Sequence, residues 1–416
     1  MRPMERVDLI LSGIGELATP EGRLPRPGAS ADRIAVEHGR AIAVRGGRIV
    51  AVGEEAGILR RFTGPRKDAG GRLVTPGLVD PHTHAVFVGD RSAEFDARLR
   101  GATYRQIAEA GGGIRATVRA VREASDDRLR SETALRLSRM LAHGATTVEV
   151  KSGYGLTAPQ EVRLLEVARD AAKFPAAPRV VPTFLGAHEV PDEFRADRDG
   201  YVRLVREEMI PRVARGGLAR FCDVFCEEGV FDVEQTRSIL LAARAAGLGL
   251  KIHAEEFAVT GGARLAADLG ATSADHLLAV DRDGIAALAG AGVVAVLLPG
   301  TSYTLRRAGA AARDLLAEGV TVAVGTDCNP GSSPTESMGL MLSMACCLRG
   351  LTPAEALTAC TLNAAAAVGM ADRIGSLDEG KEADWVMWDA SSYTELPTRF
   401  GTNLVAAVGK GGKVVW

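Results

Sequence analysis

The chain has 416 residues, of which 46% are hydrophobic and 25% charged, and its formal net charge is −2 at pH 7. This is the composition of an ordinary globular protein, and the length suffices for one large domain and a small one. The near-neutral charge excludes the basic surface of a nucleic-acid-binding protein and the polybasic patch of a protein that docks on membranes.

The N-terminal stretch MRPMERVDLILSGIGELATP lacks the apolar core and the cleavage site of a signal peptide. No apolar run approaches the ~20 residues of a membrane-spanning helix. The few, late and irregularly spaced cysteines do not form a disulfide framework, and the one C-x3-C pair has no second pair to complete a metal site. We therefore expect buried thiols in a cytoplasmic protein; the six cysteines are Cys222, Cys226, Cys328, Cys346, Cys347 and Cys360.

Both ends of the chain have the pattern of short β-hairpins. The segment RIAVEHGRAIAVRGGRIVAVG combines β-branched residues with Gly-Gly turns, and IGSLDEGKEADWVMWD and LVAAVGKGGKVVW resemble it near the C-terminus. We predict that residues 1–73 and 373–416 pair into one small composite β-sandwich domain. His38, which lies in the first of these segments, is interpreted as structural.

Between the two ends, eight short apolar segments alternate with amphipathic helical stretches. Such alternation predicts parallel strands, and eight units over about 300 residues predict a (β/α)8 barrel over residues 74–372. A doubly wound open sheet is the alternative. The segments are GLVDPHTH, ATTVEVKSG, RVVPTFLGAHE, FCDVFCEEG, GLKIHAEEF, SADHLLAV, VVAVLLPG and TVAVGTDCN.

Polar side chains gather where these strands end. His82 and His84 stand two residues apart after the first strand, so both imidazoles point to one face. Other strand ends carry His188, His253 followed by Glu256, Asp275-His276, and Asp327, whereas His143 precedes a strand and is given no role. Three imidazoles and a carboxylate suit zinc or iron, which lowers the pKa of a bound water toward ~7. Glu256, close by, is the candidate for moving protons.

These motifs resemble the amidohydrolase superfamily: PGLVDPHTH, the later strand-end histidines and the final aspartate stand in the same order. The resemblance implies a metal-bearing barrel with a small β domain built from both chain ends. DPHTHAVFVGDRSAEF, EAGGGIRATVRAVREAS, VEVKSGYGL, FLGAHEVP, DVFCEEGVF, KIHAEEF, SADHL and GTDCNPGSSPT are similar to the members that open a cyclic amide in histidine degradation. That likeness runs from about residue 70 to 370.

The resemblance implies one Zn²⁺ or Fe³⁺ per chain, with His82, His84, His253 and Asp327 as ligands. Two-metal relatives use a lysine from the fourth strand, where FCDVFCEEG has none, and Lys151 lies on the second strand. The implied substrate is 4-imidazolone-5-propanoate and the implied product N-formimidoyl-L-glutamate.

The resemblance also implies roles for the remaining site residues. His276 would stabilise the oxyanion and Glu256, with Asp327 as an alternative, would carry the proton to the leaving ring nitrogen. Arg91 offers a bidentate fork to the propanoate carboxylate. The residues implied to hold the substrate are Arg91, Tyr154, His188, Glu256, Asn329, Gly331 and Ser332.

Some features leave alternatives open. Cys328 stands where the family pattern leads us to expect a bulkier apolar residue, which affects the expected pocket shape. The run Asn329-Pro-Gly-Ser-Ser is also turn chemistry in its own right, and Gly111–Gly113 is expected to form a flexible loop over the pocket. The alternative functions are a related nucleobase or heterocycle deaminase and a metal-free scaffold. Relatives imply a possible homodimer.

Overall fold

The computed structural model describes residues 4–102, 106–107 and 110–416, so the first three residues of the predicted composite domain and Glu109 of the EAGGG motif lie outside it. Nine strands precede the barrel and form most of the small domain. They are β1 (Glu5–Arg6), β2 (Leu9–Ser12), β3 (Glu16–Pro20), β4 (Ile34–Glu37), β5 (Arg40–Arg45), β6 (Arg48–Glu54), β7 (Phe62–Thr63), β8 (Arg66–Asp68) and β9 (Leu73–Pro76).

The barrel follows as eight parallel strands in sequential order, as the alternation of apolar and helical segments predicts. This order confirms the (β/α)8 barrel and excludes the doubly wound sheet. The strands are β10 (Leu78–Asp80), β11 (Ala145–Lys151), β12 (Arg179–Ala187), β13 (Phe221–Cys226), β14 (Gly249–Ala254), β15 (Ser273–His276), β16 (Val294–Leu297) and β17 (Val322–Val324).

Backbone hydrogen bonds between the segments after β10 and β17 close the barrel. Asp327 donates its backbone N–H to the His82 carbonyl at 3.0 Å, and His84 donates to the Cys328 carbonyl at 2.9 Å. Asp80 adds a side-chain link, because its Oδ2 accepts from Thr326 Oγ1 at 2.6 Å. The seam of the barrel therefore holds the two segments that carry the predicted ligands side by side.

Helices cover the outside of the barrel. Thr352 begins one of them with the capping box that the sequence predicts, since its hydroxyl accepts from the Glu355 N–H at 3.1 Å. The α-helices are Glu55–Arg61, Ser92–Leu99, Ile114–Glu123, Asp126–Ala142, Ala158–Ala171, Arg198–Leu204, Ile210–Arg215, Val233–Ala245, Gly262–Asp268, Arg282–Ala291, Pro299–Thr304, Ala312–Ala317, Met338–Arg349, Pro353–Ala359 and Leu362–Ala367. A π-helical turn, Val205–Met209, and the 3₁₀ turns Gly28–Asp32, Asp192–Phe194 and Tyr393–Glu395 complete them.

Strands from both chain ends share a six-stranded sheet in the small domain. Its C-terminal members are β18 (Trp385–Trp388), β19 (Val405–Lys410) and β20 (Lys413–Val414), and its order is β20-β19-β18-β9-β3-β4. A four-stranded sheet, β6-β5-β2-β8, packs against it across a core that includes Leu11, Ile42 and Trp385. The composite β domain is thus present, and its limits at residues 73 and 373 stay a prediction.

Among the helices that the structure describes, none combines the length and apolar character that a bilayer crossing requires. All six cysteines are free thiols, and Cys222, Cys226, Cys328 and Cys360 are buried. This confirms the interpretation of Cys222 and Cys226 as packed thiols. His38 lies at the surface of the small domain and pairs through Nδ1 with the Gly15 carbonyl at 2.7 Å.

Candidate active site

Five buried polar residues meet at the carboxyl end of the barrel, and we call them the imidazole layer. Parallel strands in register bring their ends to one edge, so residues far apart in sequence become neighbours. Each is at most 3% exposed. The imidazole layer consists of His82, His84, His253, His276 and Asp327.

The ring nitrogens and one carboxylate oxygen of this layer face one another. His84 Nε2 lies 3.4 Å from His253 Nε2 and 3.4 Å from Asp327 Oδ1. His82 Nε2 lies 3.5 Å from the same Asp327 oxygen. Ligands held at ~2.0–2.1 Å around a tetrahedral metal lie ~3.3 Å apart. The three measured separations match that spacing.

Burial favours the neutral form of His82, His84 and His276, the form in which an imidazole binds a metal. It lowers the pKa of His82 well below the usual value, with the Lys151 charge adding to the effect, and it also lowers the pKa of His84. The pKa of His276 falls to about 3, again chiefly through burial. Burial raises the pKa of Asp327, but the His84 and His276 side chains outweigh it and lower the value to about 2.

A second set of buried residues lies inside the barrel, and we call it the charge layer. Two of its members precede imidazole-layer residues on their strands: Lys251 lies two residues before His253, and Asp275 one residue before His276. Lys151 Nζ lies 2.7 Å from Asp223 Oδ2 and 2.9 Å from Glu149 Oε2. Lys251 Nζ lies 2.9 Å from Glu149 Oε2 and donates to the Pro81 carbonyl at 2.9 Å. The charge layer consists of Glu149, Lys151, Asp223, Lys251 and Asp275, each fully buried.

Two carboxylates of the charge layer hold two rings of the imidazole layer by their Nδ1 atoms. His82 Nδ1 lies 2.6 Å from Asp275 Oδ2, and His253 Nδ1 lies 3.0 Å from Asp223 Oδ2. A neutral imidazole that places its proton on Nδ1 leaves the Nε2 lone pair free for a metal. The geometry therefore turns Nε2 of both rings toward the other members of the imidazole layer.

The unpaired atoms of the site fit a metal ion. His82 Nε2 and Asp327 Oδ1 are buried and have no hydrogen-bond partner among the described residues. Three groups in the described part of the chain have the spacing of metal ligands: His82 with His84 and Asp327, His82 with His253 and His276, and His82 with Glu149 and Asp275. The third group includes charge-layer carboxylates that already face Lys151 and Lys251. The other two groups consist of imidazole-layer residues, and one of them includes His276, which the sequence did not predict as a ligand.

A cleft opens onto the imidazole layer and gathers nearly all the predicted substrate residues. His82 lies beneath it, and Gly331 stands at its edge next to Arg91. The sequence did not single out Arg98, Ile114, Phe225, Phe257 and Leu305, which also line the cleft. Its predicted members are His84, Arg91, Tyr154, His188, His253, Glu256, His276, Asp327, Asn329 and Ser332.

Glu256 has the position and the raised pKa that a proton carrier needs. Its Oε2 lies 3.8 Å from His276 Nε2, and the residue is 7% exposed. Burial raises the pKa of Glu256 well above its ordinary range, and the nearby Asp327 and Glu227 carboxylates raise it further. A carboxyl group with a raised pKa can both take up and return a proton near neutral pH.

Arg91 is held in place at the mouth of the cleft. Its Nε and Nη2 donate to Glu94 Oε2 at 2.9 and 2.8 Å, while Glu94 Oε1 accepts from the Gly113 N–H at 2.9 Å. Gly113 precedes the helix Ile114–Glu123, so the predicted glycine loop serves to anchor Glu94. A Cβ at Gly331 would lie 2.3 Å from Arg91 Nη1, which explains the glycine at this close approach.

The Asn329–Ser333 segment forms the turn that its sequence predicts. Asn329 Oδ1 accepts from the N–H groups of Gly331 and Ser332 at 2.8 Å each, and Asn329 Nδ2 donates to the Asp327 carbonyl at 2.7 Å. The turn fixes Ser332 at the cleft next to the last predicted ligand. Turn chemistry and a place in the site coexist here.

Two aromatic side chains, His188 and Tyr154, also line the cleft. His188 stacks on His84, with ring centroids 4.9 Å apart and an interplanar angle of 18°. Its Nδ1 lies 3.0 Å from the Gly153 carbonyl, which leaves Nε2 toward the cleft. The Tyr154 ring lies 5.3 Å from that of His188. Cys328 is buried and is not among the residues that line the cleft.

The backbone at the strand ends is strained where it turns these side chains inward. Glu255, His276 and Asp327 have φ values of 54°, 76° and 51°, in the left-handed region that non-glycine residues rarely adopt. Such residues cost about 1–3 kcal/mol each and cluster at functional sites. The strain falls directly beside Glu256 and on two members of the imidazole layer.

Sequence reasoning missed the charge layer and Arg98. Charged residues inside apolar strands, in VEVK, CDVF and LKIH, were an available signal, because an unpaired buried charge is too costly to leave in a core. Arg98 sits on an ordinary amphipathic helix and carries no comparable signal.

Comparisons with known proteins give the same family. The model of the amidohydrolase family matches residues 73–415. The imidazolonepropionase of Geobacillus kaustophilus is 51% identical over 385 residues, which cover 91% of this chain and 90% of that protein. The imidazolonepropionase of Symbiobacterium thermophilum is 51% identical over 422 aligned positions, which cover 100% of this chain and 98% of that protein.

A solved structure with the same fold is that of an adenosine deaminase from Xanthomonas campestris with bound zinc. It superposes with a TM-score of 0.75 and covers 99% of this chain and 93% of its own, at 23% sequence identity. At that identity the likeness shows the fold alone.

Proposed function

The chain belongs to the amidohydrolase family, and we propose that it opens the ring of 4-imidazolone-5-propanoate with water to give N-formimidoyl-L-glutamate, a step of histidine degradation. The proposal is supported by imidazolonepropionases that are 51% identical over at least nine-tenths of both chains. The observation that carries it is a single cleft with a metal-type cluster at its base and a fixed guanidinium at its mouth. The substrate has a matching ring carbonyl at one end and a carboxylate at the other.

We infer that His82, His84, His253 and Asp327 hold one Zn²⁺ or Fe³⁺. The proposal is supported by the lowered pKa values of His82 and His84, by the mutual spacing of the ligand atoms and by the unpaired His82 Nε2 and Asp327 Oδ1. A bound ion supplies an activated water and polarises the scissile carbonyl. Asp275 bonds Nδ1 of His82, and Asp223 lies 3.0 Å from Nδ1 of His253, so Nε2 of each ring is turned toward the proposed ion.

Hydrolysis of the cyclic amide needs one proton moved. Water adds to the ring carbonyl carbon, the bond from that carbon to the ring nitrogen breaks, and the nitrogen leaves with a proton. Glu256 takes the proton from the water and returns it to the nitrogen, because its raised pKa allows both steps. His276, neutral and 3.8 Å from Glu256, donates a hydrogen bond to the developing oxyanion. Asp327 is the alternative proton carrier.

The remaining cleft residues orient the substrate. Arg91 binds the propanoate carboxylate, and its position is fixed by Glu94 before substrate arrives. Tyr154 and His188 contact the ring from one wall, and Asn329, Gly331 and Ser332 support it from the turn opposite. Preorganised contacts of this kind lower the entropic cost of bringing the carbonyl to the nucleophile.

A deaminase would use a similar cluster of metal-binding residues at the bottom of the cleft. A nucleobase, however, carries no carboxylate to match the arginine at the mouth, and the deaminase likeness is one of fold alone. A metal-free scaffold would have no reason to keep buried, unpaired ligand atoms, since each costs about 1–3 kcal/mol. Both alternatives are therefore weaker than the ring-opening hydrolase.

The test is an ultraviolet assay of imidazolone propanoate consumption by purified protein, with the product identified by mass. We expect loss of the ring absorbance and a product heavier than the substrate by one water. Adenosine and guanine are the matched controls, assayed for ammonia. Release of ammonia from adenosine or guanine, with no imidazolone propanoate consumed, contradicts the proposal. A cytoplasmic homodimer remains a prediction, and light scattering of the purified protein measures the oligomeric state.

A further inference from the structure

Two arginines line the cleft, and they differ in what they already bind. Arg91 is committed to Glu94 through two hydrogen bonds, and its side chain is 11% exposed. Its charge is therefore compensated before any ligand arrives. A substrate carboxylate that approaches Arg91 must also face the Glu94 carboxylate.

Among the described residues that line this cleft, Arg98 is a cation that has no ion pair. It lies on the helix Ser92–Leu99, and its Nη2 donates to the Gly331 carbonyl at 3.2 Å. Its Nε is buried and has no hydrogen-bond partner among residues 4–102, 106–107 and 110–416. No carboxylate in that part of the chain forms an ion pair with it. A guanidinium can donate five hydrogen bonds, and here one is used.

Gly331 connects the two guanidinium groups. A side chain at this position would collide with Arg91, while the Gly331 carbonyl accepts from Arg98. Ser332, the next residue, lines the same cleft. The turn therefore sits against both arginines and leaves room for an anion in front of them.

We propose that Arg98 is a second binding residue for the substrate carboxylate and supplies the net positive charge that Arg91 does not. The assignment rests on the proposed function, because it names the group that reads the propanoate. A carboxylate bridging the two arginines would use guanidinium donors of Arg98 that the Gly331 carbonyl leaves free, without displacing Glu94 from Arg91. Charge-assisted contacts of this kind are the strong ones in protein recognition. A purely structural Arg98 would have the bond to Gly331 and its contact with the Phe95 ring, 5.9 Å away, and would leave its other donors unused.

The experiment compares two probes on the metal-loaded enzyme: 3-(imidazol-4-yl)propanoate and its uncharged amide. The parent is expected to prefer the carboxylate. In Arg98→Met that preference should fall by about ten- to 150-fold, the effect of losing a charged hydrogen bond. For the substrate, KM should rise by a similar factor while kcat and metal content change little. Arg98→Lys keeps the charge, loses the Nε–H and should lie between the two.

Arg100→Met is the matched control. Arg100 follows the same helix, is exposed and pairs with Asp96 away from the cleft, so its loss should leave the preference unchanged. A carboxylate preference in Arg98→Met and Arg98→Lys equal to that of the parent overturns the assignment, and so does a parent with no preference. A parent that prefers the carboxylate but does not hydrolyse imidazolone propanoate overturns the proposed reaction alone.

Discussion

The imidazole layer and the charge layer occupy the same barrel, yet they balance their polar groups in different ways. In the charge layer, Lys151 and Lys251 each lie within 2.9 Å of a carboxylate oxygen. In the imidazole layer, His82 Nε2 and Asp327 Oδ1 have no partner among the described residues. The first layer is complete as the chain folds, and the second is complete only with a cation.

The pKa values show the same contrast. Burial would lower the pKa of Lys151, but the Asp223, Glu149 and Asp275 carboxylates outweigh it and raise the value. Burial lowers the pKa of His82 and His84. The charged form of Lys151 is thus favoured in one layer, and the neutral forms of His82 and His84 are favoured in the other. The carboxylates of the charge layer already face Lys151 and Lys251, which supports the proposal of one metal per chain.

The largest effect is expected from breaking the imidazole layer. Asp327→Ala removes the carboxylate whose oxygen lies near both His82 and His84, and we expect metal and activity to be lost together. The loss should exceed the ~10- to 100-fold effect of removing a partner that only supports a ligand. Metal analysis and kcat/KM measure it, with His143→Asn as the histidine control outside the layer. Retained metal in Asp327→Ala would exclude it as a ligand.

Breaking the charge layer should instead lower the stability of the folded protein. Lys151→Met leaves Asp223 and Glu149 without their closest cation, and breaking a buried ion pair from one side costs about 3–5 kcal/mol. The midpoint of thermal unfolding measures the change. Lys173→Met is the control, because Lys173 pairs with Asp170 at the surface. Equal midpoints for the two variants would show that the charge layer does not stabilise the barrel.

A change beside the imidazole layer should affect rate alone. Glu256→Gln keeps the shape of the side chain and removes the proton carrier, so kcat should fall by roughly 10²-fold or more with metal content unchanged. Pre-steady-state and steady-state assays on metal-loaded protein measure it. An unaltered kcat would remove Glu256 from proton transfer and favour Asp327.

The smallest effect is expected at a buried lysine outside the barrel strands, which differs from the lysines of the charge layer in its partner. Lys381 is fully buried, but its Nζ donates to a carbonyl, that of Ile374, at 3.0 Å. Burial lowers its pKa to about 8. Between about pH 8 and the unfolded pKa near 10.5, the unfolded chain binds more protons, so stability rises with pH over that window.

Lys381→Met removes this titration. The difference in unfolding free energy between parent and variant should therefore shift by about 1–3 kcal/mol in favour of the parent from pH 7.5 to pH 10. Thermal unfolding of both proteins at the two pH values measures it. A difference that stays constant with pH would mean that Lys381 titrates normally.

The sequence predicts the parts of this molecule that follow from periodicity and strand order. His82 and His84 had to share a face, and parallel strands had to bring His253, His276 and Asp327 to the same end. The partners of those residues follow from register instead, which no local pattern reveals. Asp223 meets His253, and Asp275 meets His82, only because the strands that carry them stand at particular heights in the barrel.

Arg98 shows the same limit for the cleft. Its position depends on how the helix Ser92–Leu99 packs against the turn at Gly331, which lies 233 residues away. The composite sheet was predictable because both chain ends have hairpin patterns. Its strand order, with β18 between β9 and β19, depends on long-range pairing.

The most direct test of one metal held by a preformed imidazole layer is a titration of metal-free protein with Zn²⁺ or iron, following imidazolone hydrolysis and bound metal together. We predict that activity rises from near zero and reaches a plateau at one equivalent per chain. Asp327→Ala should bind no ion tightly over the same range. A plateau at two equivalents would mean that the charge layer also takes an ion, and full activity without added metal would contradict the account.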